Sequence, residues 1–291
     1  MRVLLHLSDL HFGRVNDATL DPLLEVAHRV SPHLVVVSGD LTQRARAWQF
    51  RQARDFLALL PKPLIAVPGN HDVPLYDVFS RFLRPLANYR RHISQDLEPY
   101  YEDEEMAVIA VNTARSLTFK GGRINEEQVA RVREKLCALP PGIVRAIVTH
   151  HPFDLPEGRK TDDLVGRARM AMEGFVECGL DLIVSGHLHV AHTTHTAIRY
   201  RLPGRSALLV QAGTATSTRE REEPNSFNVL RVDLPRIAVE RFLWKEGARR
   251  FESAATDVFE RTGEDWNPIT PLQPVGHEPS PSAPDASASL G

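Results

Sequence analysis

A chain of 291 residues, 42% apolar and 25% charged, is long enough to bury a sizeable core and has the composition of a soluble globular protein. A formal net charge of -2 supplies no global basic field, so a long nucleic acid is not the favoured partner, although a local basic groove is not excluded. No stretch approaches the ~18 uninterrupted apolar residues of a spanning helix, and the run before Ser8 is too short for a signal-peptide core, so no membrane partner is expected.

In chain order, Val3 to Leu7 reads as a buried strand ending at Ser8 and Asp9. A helix-spaced stretch, Leu20 to Val30, leads to a second strand, Leu34 to Val37, which runs into Gly39 and Asp40. The helical stretch Ala45 to Leu60 precedes a third strand, Leu64 to Val67, ending in Gly69-Asn70-His71-Asp72. Val78 to Ile93 has helical spacing within an Arg- and aromatic-rich segment, Tyr76 to Tyr101, expected to form an insertion beside the site. Strand Ala107 to Val111 is followed by helix Glu126 to Leu139, which Asn125 and Gln128 open as a capping box. Ala146 to Val148 ends at His150-His151; after helix Ala168 to Cys178, Leu182 to Val184 ends at Gly186-His187-Leu188-His189. Strands alternating with helices predict an α/β protein with a largely parallel sheet.

Beyond Gly186 the rhythm changes to strand-like runs without helices, at His195 to Tyr200, Ala207 to Val210, Phe227 to Val232 and Ile237 to Leu243, which predicts a second, antiparallel-rich sheet. The Pro-, Ser- and Ala-rich stretch from Glu264 to Gly291 holds few aliphatic residues and is expected to be a disordered tail behind a folded domain of residues 1–263. Cys137 and Cys178 fall in predicted helices without CxxC or CxH spacing. Neither a disulfide nor a thiolate metal site is therefore expected, and a reducing cytoplasm fits.

Strand after strand thus delivers Asp, His or Asn to its carboxyl end, where open α/β sheets bind ligands. Asp, Asn and His suit Mn, Fe, Zn or Co, and the number of them implies two ions. Two cations about 3.5 to 4 Å apart lower the pKa of a shared water and clamp phosphoryl oxygens. A bridging carboxylate would hold them against their repulsion, and a neutral Asn ligand would leave net positive charge for an anionic substrate. His192 and His195 read as residues of a solvent-facing strand, and Arg115 as a surface ion-pairing residue with a phosphate contact as the alternative.

The ordered set DLH, GD, GNHD, THH and GHLH, over roughly residues 1 to 245, resembles the calcineurin-like metallophosphoesterase superfamily. The resemblance implies a four-layer αββα sandwich, two mixed β-sheets face to face with helices outside. It also implies that Asp9, His11 and His189 hold one metal, that Asn70, His150 and His187 hold the other, and that Asp40 bridges them. The ions would be divalent or mixed-valence, Mn or Fe favoured over Zn or Co. By the same resemblance His151 is not a ligand, His71 reaches the substrate phosphate together with Asn70 and protonates the leaving oxygen, and Asp72 orients His71. Purple acid phosphatases carry Tyr where this chain has Gln43, so that branch is disfavoured. The chain looks most similar to class III cyclic nucleotide phosphodiesterases. The implied function is hydrolysis of a small phosphodiester, such as a cyclic nucleotide, by a metal-bridging hydroxide. A DNA or RNA nuclease and a phosphomonoesterase are the alternatives, and a homo-oligomer is compatible with the sequence. A non-enzymatic scaffold fits poorly, because such proteins lose ligands and all seven are present.

Overall fold

Strands made of consecutive apolar residues need cover on both faces, and the first three obtain it. In the computed structural model, β1 (Arg2–Leu7), β2 (Leu34–Val37) and β3 (Leu64–Ala66) run parallel, with Leu4 opposite Leu34 and Val36 opposite Ile65. The structure describes residues 1–269 except 119, 157, 159–160, 201, 203–205 and 219–222. Crossovers α1 (Leu20–Val30) and α2 (Ala47–Leu59) turn Leu23, Val26, Phe50 and Phe56 onto the outer face of this sheet. Two short helices follow, α3 (Val78–Leu83) and α4 (Ala87–His92).

The second sheet contains β4 (Tyr100–Glu102), β5 (Met106–Ala110), β6 (Val144–Val148), β7 (Leu182–Ser185), β8 (His192–His195) and β9 (Leu208–Gln211), in the order β4-β5-β6-β7-β9-β8. Its four central strands are parallel and its edges antiparallel. Helices α5 (Glu126–Ala138) and α6 (Ala168–Glu177) cover its outer face through Val132, Leu136, Met172 and Phe175. A four-residue helix, α7 (Thr196–Arg199), follows β8. The chain then returns through β10 (Ser226–Asp233), β11 (Arg236–Lys245), β12 (Arg250–Thr262) and β13 (Asp265–Pro268), antiparallel to one another and to β1. Between the two sheets lies an apolar layer that includes Leu4, Val36, Val108, Val148, Val184, Val210, Val232 and Phe259. This is the expected αββα sandwich.

Several expectations need correction. The late strands form no sheet of their own: β10 to β13 extend the first sheet beyond β1, whereas β8 and β9 join the second. Pairing partners of this kind are set by tertiary contact, which a strand-like run does not encode. The stretch His195 to Tyr200 is not a strand: β8 stops at His195 and α7 begins. Val78 to Ile93 breaks into α3 and α4 around Pro85, whose ring cannot sit in a helix interior.

The folded part also runs past Gly263. Strand β13 pairs with β12 and carries Trp266, fully buried in the inter-sheet layer, so one large aromatic offsets the polar composition around it. The rest of the expected tail, from residue 270, lies outside the described residues. Cys137 on α5 and Cys178 just after α6 form a disulfide, their Cα atoms 4.7 Å apart, because the two helices pack side by side. Their separation of 41 residues hid this from spacing rules. A disulfide is uncommon in a reducing compartment, so the cytoplasmic expectation loses the ground it rested on. No helix among the described residues is long and apolar enough to cross a membrane.

Candidate metal centre

Parallel strands put their carboxyl ends on one edge, and here the edges of both sheets meet. The turns after β1, β2, β3, β6 and β7 carry all seven expected ligands. Five of these residues adopt left-handed backbone: Asp9 (φ 53°), His11 (51°), Asp40 (52°), His187 (77°) and His189 (61°). Such conformations are costly for residues with a Cβ and persist where surrounding structure enforces them, characteristically at functional sites. Glycines permit the close approach. A Cβ on Gly186 would stand 1.7 Å from Ser8 Oγ and 2.6 Å from Asp9 Oδ2; one on Gly69 would stand 2.1 Å from Asp40 Oδ1.

Two groups of donor atoms converge. In the first, Asp9 Oδ1 lies 2.9 Å from His189 Nε2 and 3.5 Å from His11 Nε2, and the two imidazole nitrogens are 3.2 Å apart. In the second, Asn70 Oδ1 lies 3.1 Å from both His150 Nε2 and His187 Nδ1. Asp40 Oδ2 stands between the groups, 3.8 Å from His11 Nε2 and 3.4 Å from His150 Nε2. Donors bound about 2.1 Å from one ion sit about 3.0 to 3.4 Å from each other in octahedral or tetrahedral geometry, so most of these spacings match a shared cation.

The atoms turned away from these groups are already engaged. Asp9 Oδ2 accepts from Ser8 Oγ (2.6 Å) and His187 N (3.0 Å), leaving Oδ1 buried without a hydrogen bond of good geometry. Asp40 Oδ1 accepts from His71 N at 2.8 Å. His150 Nδ1 donates to Ser38 O at 2.8 Å, which fixes the tautomer that turns Nε2 inward. His151 clusters with His150 and His187 closely enough to share a cation, but both its nitrogens are occupied, Nδ1 by Thr113 Oγ1 (2.8 Å) and Nε2 by Lys120 O (2.9 Å), which makes it unsuited to be a ligand.

Burial alone would raise the carboxyl of Asp9, yet His189 and His11 hold it well below the usual range; His150, His71 and His11 do the same to Asp40. Burial pushes His11 down to about 4 and His187 to about 3. It opposes the charge on His150 as well, but Asp40 wins and lifts that imidazole to about 9. Both carboxylates are therefore ionised and His11 and His187 neutral, as ligands of a cation must be, whereas His150 would give up its proton on binding one.

His71 sits at the rim, its ring 4.9 Å from that of His11 and edge-on. Its Nδ1 meets Gln43 O at 3.0 Å, a contact that sets the orientation of the ring. The expected partnership of Asp72 with this ring takes another form. The Asp72 carboxylate accepts from Leu41 N, Thr42 N, Thr42 Oγ1 and Gly69 N, and so ties the turn after β2 to the turn after β3. Burial, then the nearby Asp40, raises it to about 7.

Sequence reasoning missed the segment that holds the first turn. Thr214 Oγ1 donates to Asp9 O, Ala215 N to Ser8 O and Thr216 Oγ1 to Leu10 O, at 2.7, 3.0 and 2.7 Å. Two buried threonines after a strand give no signal in sequence alone. Arg115 turns inward onto Asn112 O, Ala114 O and Gln128 rather than to a surface ion pair. His192 lies 3.8 Å from Asp154, itself paired with Arg199.

A family model described as calcineurin-like phosphoesterase matches residues 2–191. Among curated proteins the chain is 28% identical over 172 residues to the glycerophosphodiester phosphodiesterase GpdQ of Enterobacter lignolyticus, covering 55% of this chain and 60% of that one. It is 26% identical over 174 residues to a probable GpdQ of Arcobacter nitrofigilis, covering 56% and 59%. The matches thus span about three fifths of each relative's length. A purple acid phosphatase from yellow lupin seeds superposes with a TM-score of 0.66 at 11% identity, over 89% of this chain and 54% of that one, a likeness of fold.

Proposed function

The chain belongs to the calcineurin-like phosphoesterase family, whose members are metal-dependent phosphoester hydrolases, and from that premise we propose that it hydrolyses a small phosphodiester at a binuclear metal centre. The observation that carries the reading is the position of Asp40, one oxygen spent on His71 N and the other facing both donor groups. Asp9, His11 and His189 would hold one ion, and Asn70, His150 and His187 the other. When bound, such a pair supplies Lewis acidity and a nucleophile at neutral pH. The all-N/O donor set suits Mn, Fe, Zn or Co, and the family resemblance favours Mn or Fe as the proposed occupant.

The remaining roles fall to the protein. His71 would donate a proton from Nε2 to the departing alcohol, with Gln43 O holding the ring. Asp72 would act at one remove, by keeping the turns of Asp40 and Asn70 in register. Both curated relatives are named for glycerophosphodiesters, which favours a glycerophosphodiester over a cyclic nucleotide as substrate. The test reconstitutes the metal-stripped chain with Mn²⁺ or Fe²⁺. It then compares glycerophosphodiesters, cyclic nucleotides, bis-p-nitrophenyl phosphate, p-nitrophenyl phosphate and single-stranded DNA. Metal-dependent turnover of diesters above the monoester is expected. A preference for the monoester or for DNA would sink the proposal.

A further inference from the structure

Beside the metal centre, between the start of α2 and α3, lies a cavity of about 420 Å³ lined by residues including Arg44, Arg46, Tyr76, Arg84 and Asn88, with buried Asp72 at its floor. It adjoins the centre through Arg44, whose Nη1 is 3.4 Å from His71 Nδ1. That guanidinium is held in place: Nη1 donates to Gln43 O at 3.2 Å, and its carbon lies 5.8 Å from the centroid of the Tyr76 ring.

The charges around the cavity do not balance. Two carboxylates line it, and both are engaged elsewhere. Asp72 takes its four donors from the turns after β2 and β3, and Asp77 caps α3 through Ser80 N and Oγ. Among the described residues, Arg44, Arg46 and Arg84 form no ion pair with any carboxylate. Arg46 and Ala47 also bring the positive end of the 13-residue helix α2 to the same wall. Unpaired guanidinium groups facing one concavity beside an anion-processing centre are suited to bind a second anion, which they can grip through forked, charge-assisted hydrogen bonds.

We propose that this cavity is a second anion subsite of the active site, taking a carboxylate or similar anionic group carried on the alcohol part of the substrate. The inference rests on the phosphodiesterase reading and narrows it: the favoured substrate carries a charge at both ends, the phosphoryl group on the metals and a second anion among the arginines. A neutral alcohol portion would leave those cations to water and forgo the gain.

The test is titration calorimetry on the full-length, Mn²⁺-loaded protein with glycerol 3-phosphate and 3-phosphoglycerate, which share a three-carbon skeleton and differ by a carboxylate in place of a hydroxymethyl group. The acid is expected to bind about 10-fold more tightly, the scale of one hydrogen bond to a charged group. In Arg44→Gln, and separately in the exposed pair Arg46→Gln/Arg84→Gln, that ratio should fall toward one. Equal affinities in the parent protein overturn the subsite. A preference that survives both variants overturns it too, because the metals would then be taking the carboxylate. If glycerol 3-phosphate itself fails to bind the loaded protein, the metal-centre reading is what fails, and the subsite falls with it.

Discussion

Parallel and antiparallel strands serve the candidate centre in different ways. Every parallel strand aims its carboxyl end at the same edge, and each contributes there. The turns after β1, β2, β3, β6 and β7 bring the seven donors; those after β5 and β9 bring the threonines that hold His151 and the Asp9 turn. The antiparallel strands β10 to β13 alternate direction and present no donor. Their contribution is largely apolar, through Phe227, Val232, Phe259 and Trp266, with Ser226 N at the start of β10 donating to Thr214 O at 2.8 Å. Direction of travel thus separates the strands that carry the candidate donors from those that mainly bury surface, and each side can be broken without the other.

The largest effect is expected from Asp40→Ala, which removes the carboxylate placed between the two donor groups. Losing several kcal/mol of charge stabilisation corresponds to about 10³-fold or more in turnover. Elemental analysis should show fewer than two metals per chain, and near-normal turnover with two metals still bound would contradict the binuclear reading.

His71→Gln should keep both metals while losing about 10²- to 10⁴-fold on alkyl diesters, and distinctly less on p-nitrophenyl diesters, whose phenolate leaves without a proton. Equal losses on both substrates would confine His71 to charge stabilisation. On the antiparallel side, truncation after Gly263 removes β13 and with it Trp266. Loss of one buried tryptophan costs about 3 kcal/mol, or roughly 6 to 12 °C in Tm for a domain of this size. Calorimetry should register that drop, while turnover per folded molecule at low temperature stays near normal because no donor lies on β12 or β13.

The comparison is sharpest at the loop after β9, which carries none of the proposed ligands yet holds the Asp9 turn. Thr214→Val with Thr216→Val should lower affinity for metal by about 10- to 100-fold, the usual cost of losing an outer-shell hydrogen bond. Serine at both positions should restore it. A valine pair with unaltered Mn²⁺ affinity would reduce this loop to packing.

These differences also explain what could be read in advance. Asp9, Asp40, Asn70, His150 and the His187/His189 pair were legible because each follows an apolar run within a few residues, so local pattern alone sets them at a strand end. Helix α1 was found at its true limits, Leu20 to Val30, for the same reason. Whatever depends on a distant partner was not legible. The late strands were recognised, but not that β10 pairs with β1. Trp266 looks like one aromatic in a polar tail until β12 and Ser206 are seen beside it. Cys137 and Cys178 are joined only because α5 and α6 lie together. Asp72 was assigned to the neighbouring His71, whereas its carboxylate reaches back some thirty residues to Leu41 and Thr42.

The proposed donors divide between the two layers of the sandwich in a way that has a mechanical consequence. Asp9 and His11 leave the first sheet while His189 leaves the second; Asn70 leaves the first while His150 and His187 leave the second. Each cation would then act as a bolt through both sheets at one edge, with Asp40 as the plate between the bolts. Chelation should unfasten that edge, speeding amide exchange at the ends of β3 and β7 before the far edge opens. Melting temperature should rise with free metal as ligand linkage requires. Catalyst and clasp would be the same object, so a cell short of the metal would hold a protein that is both inactive and easier to pry apart.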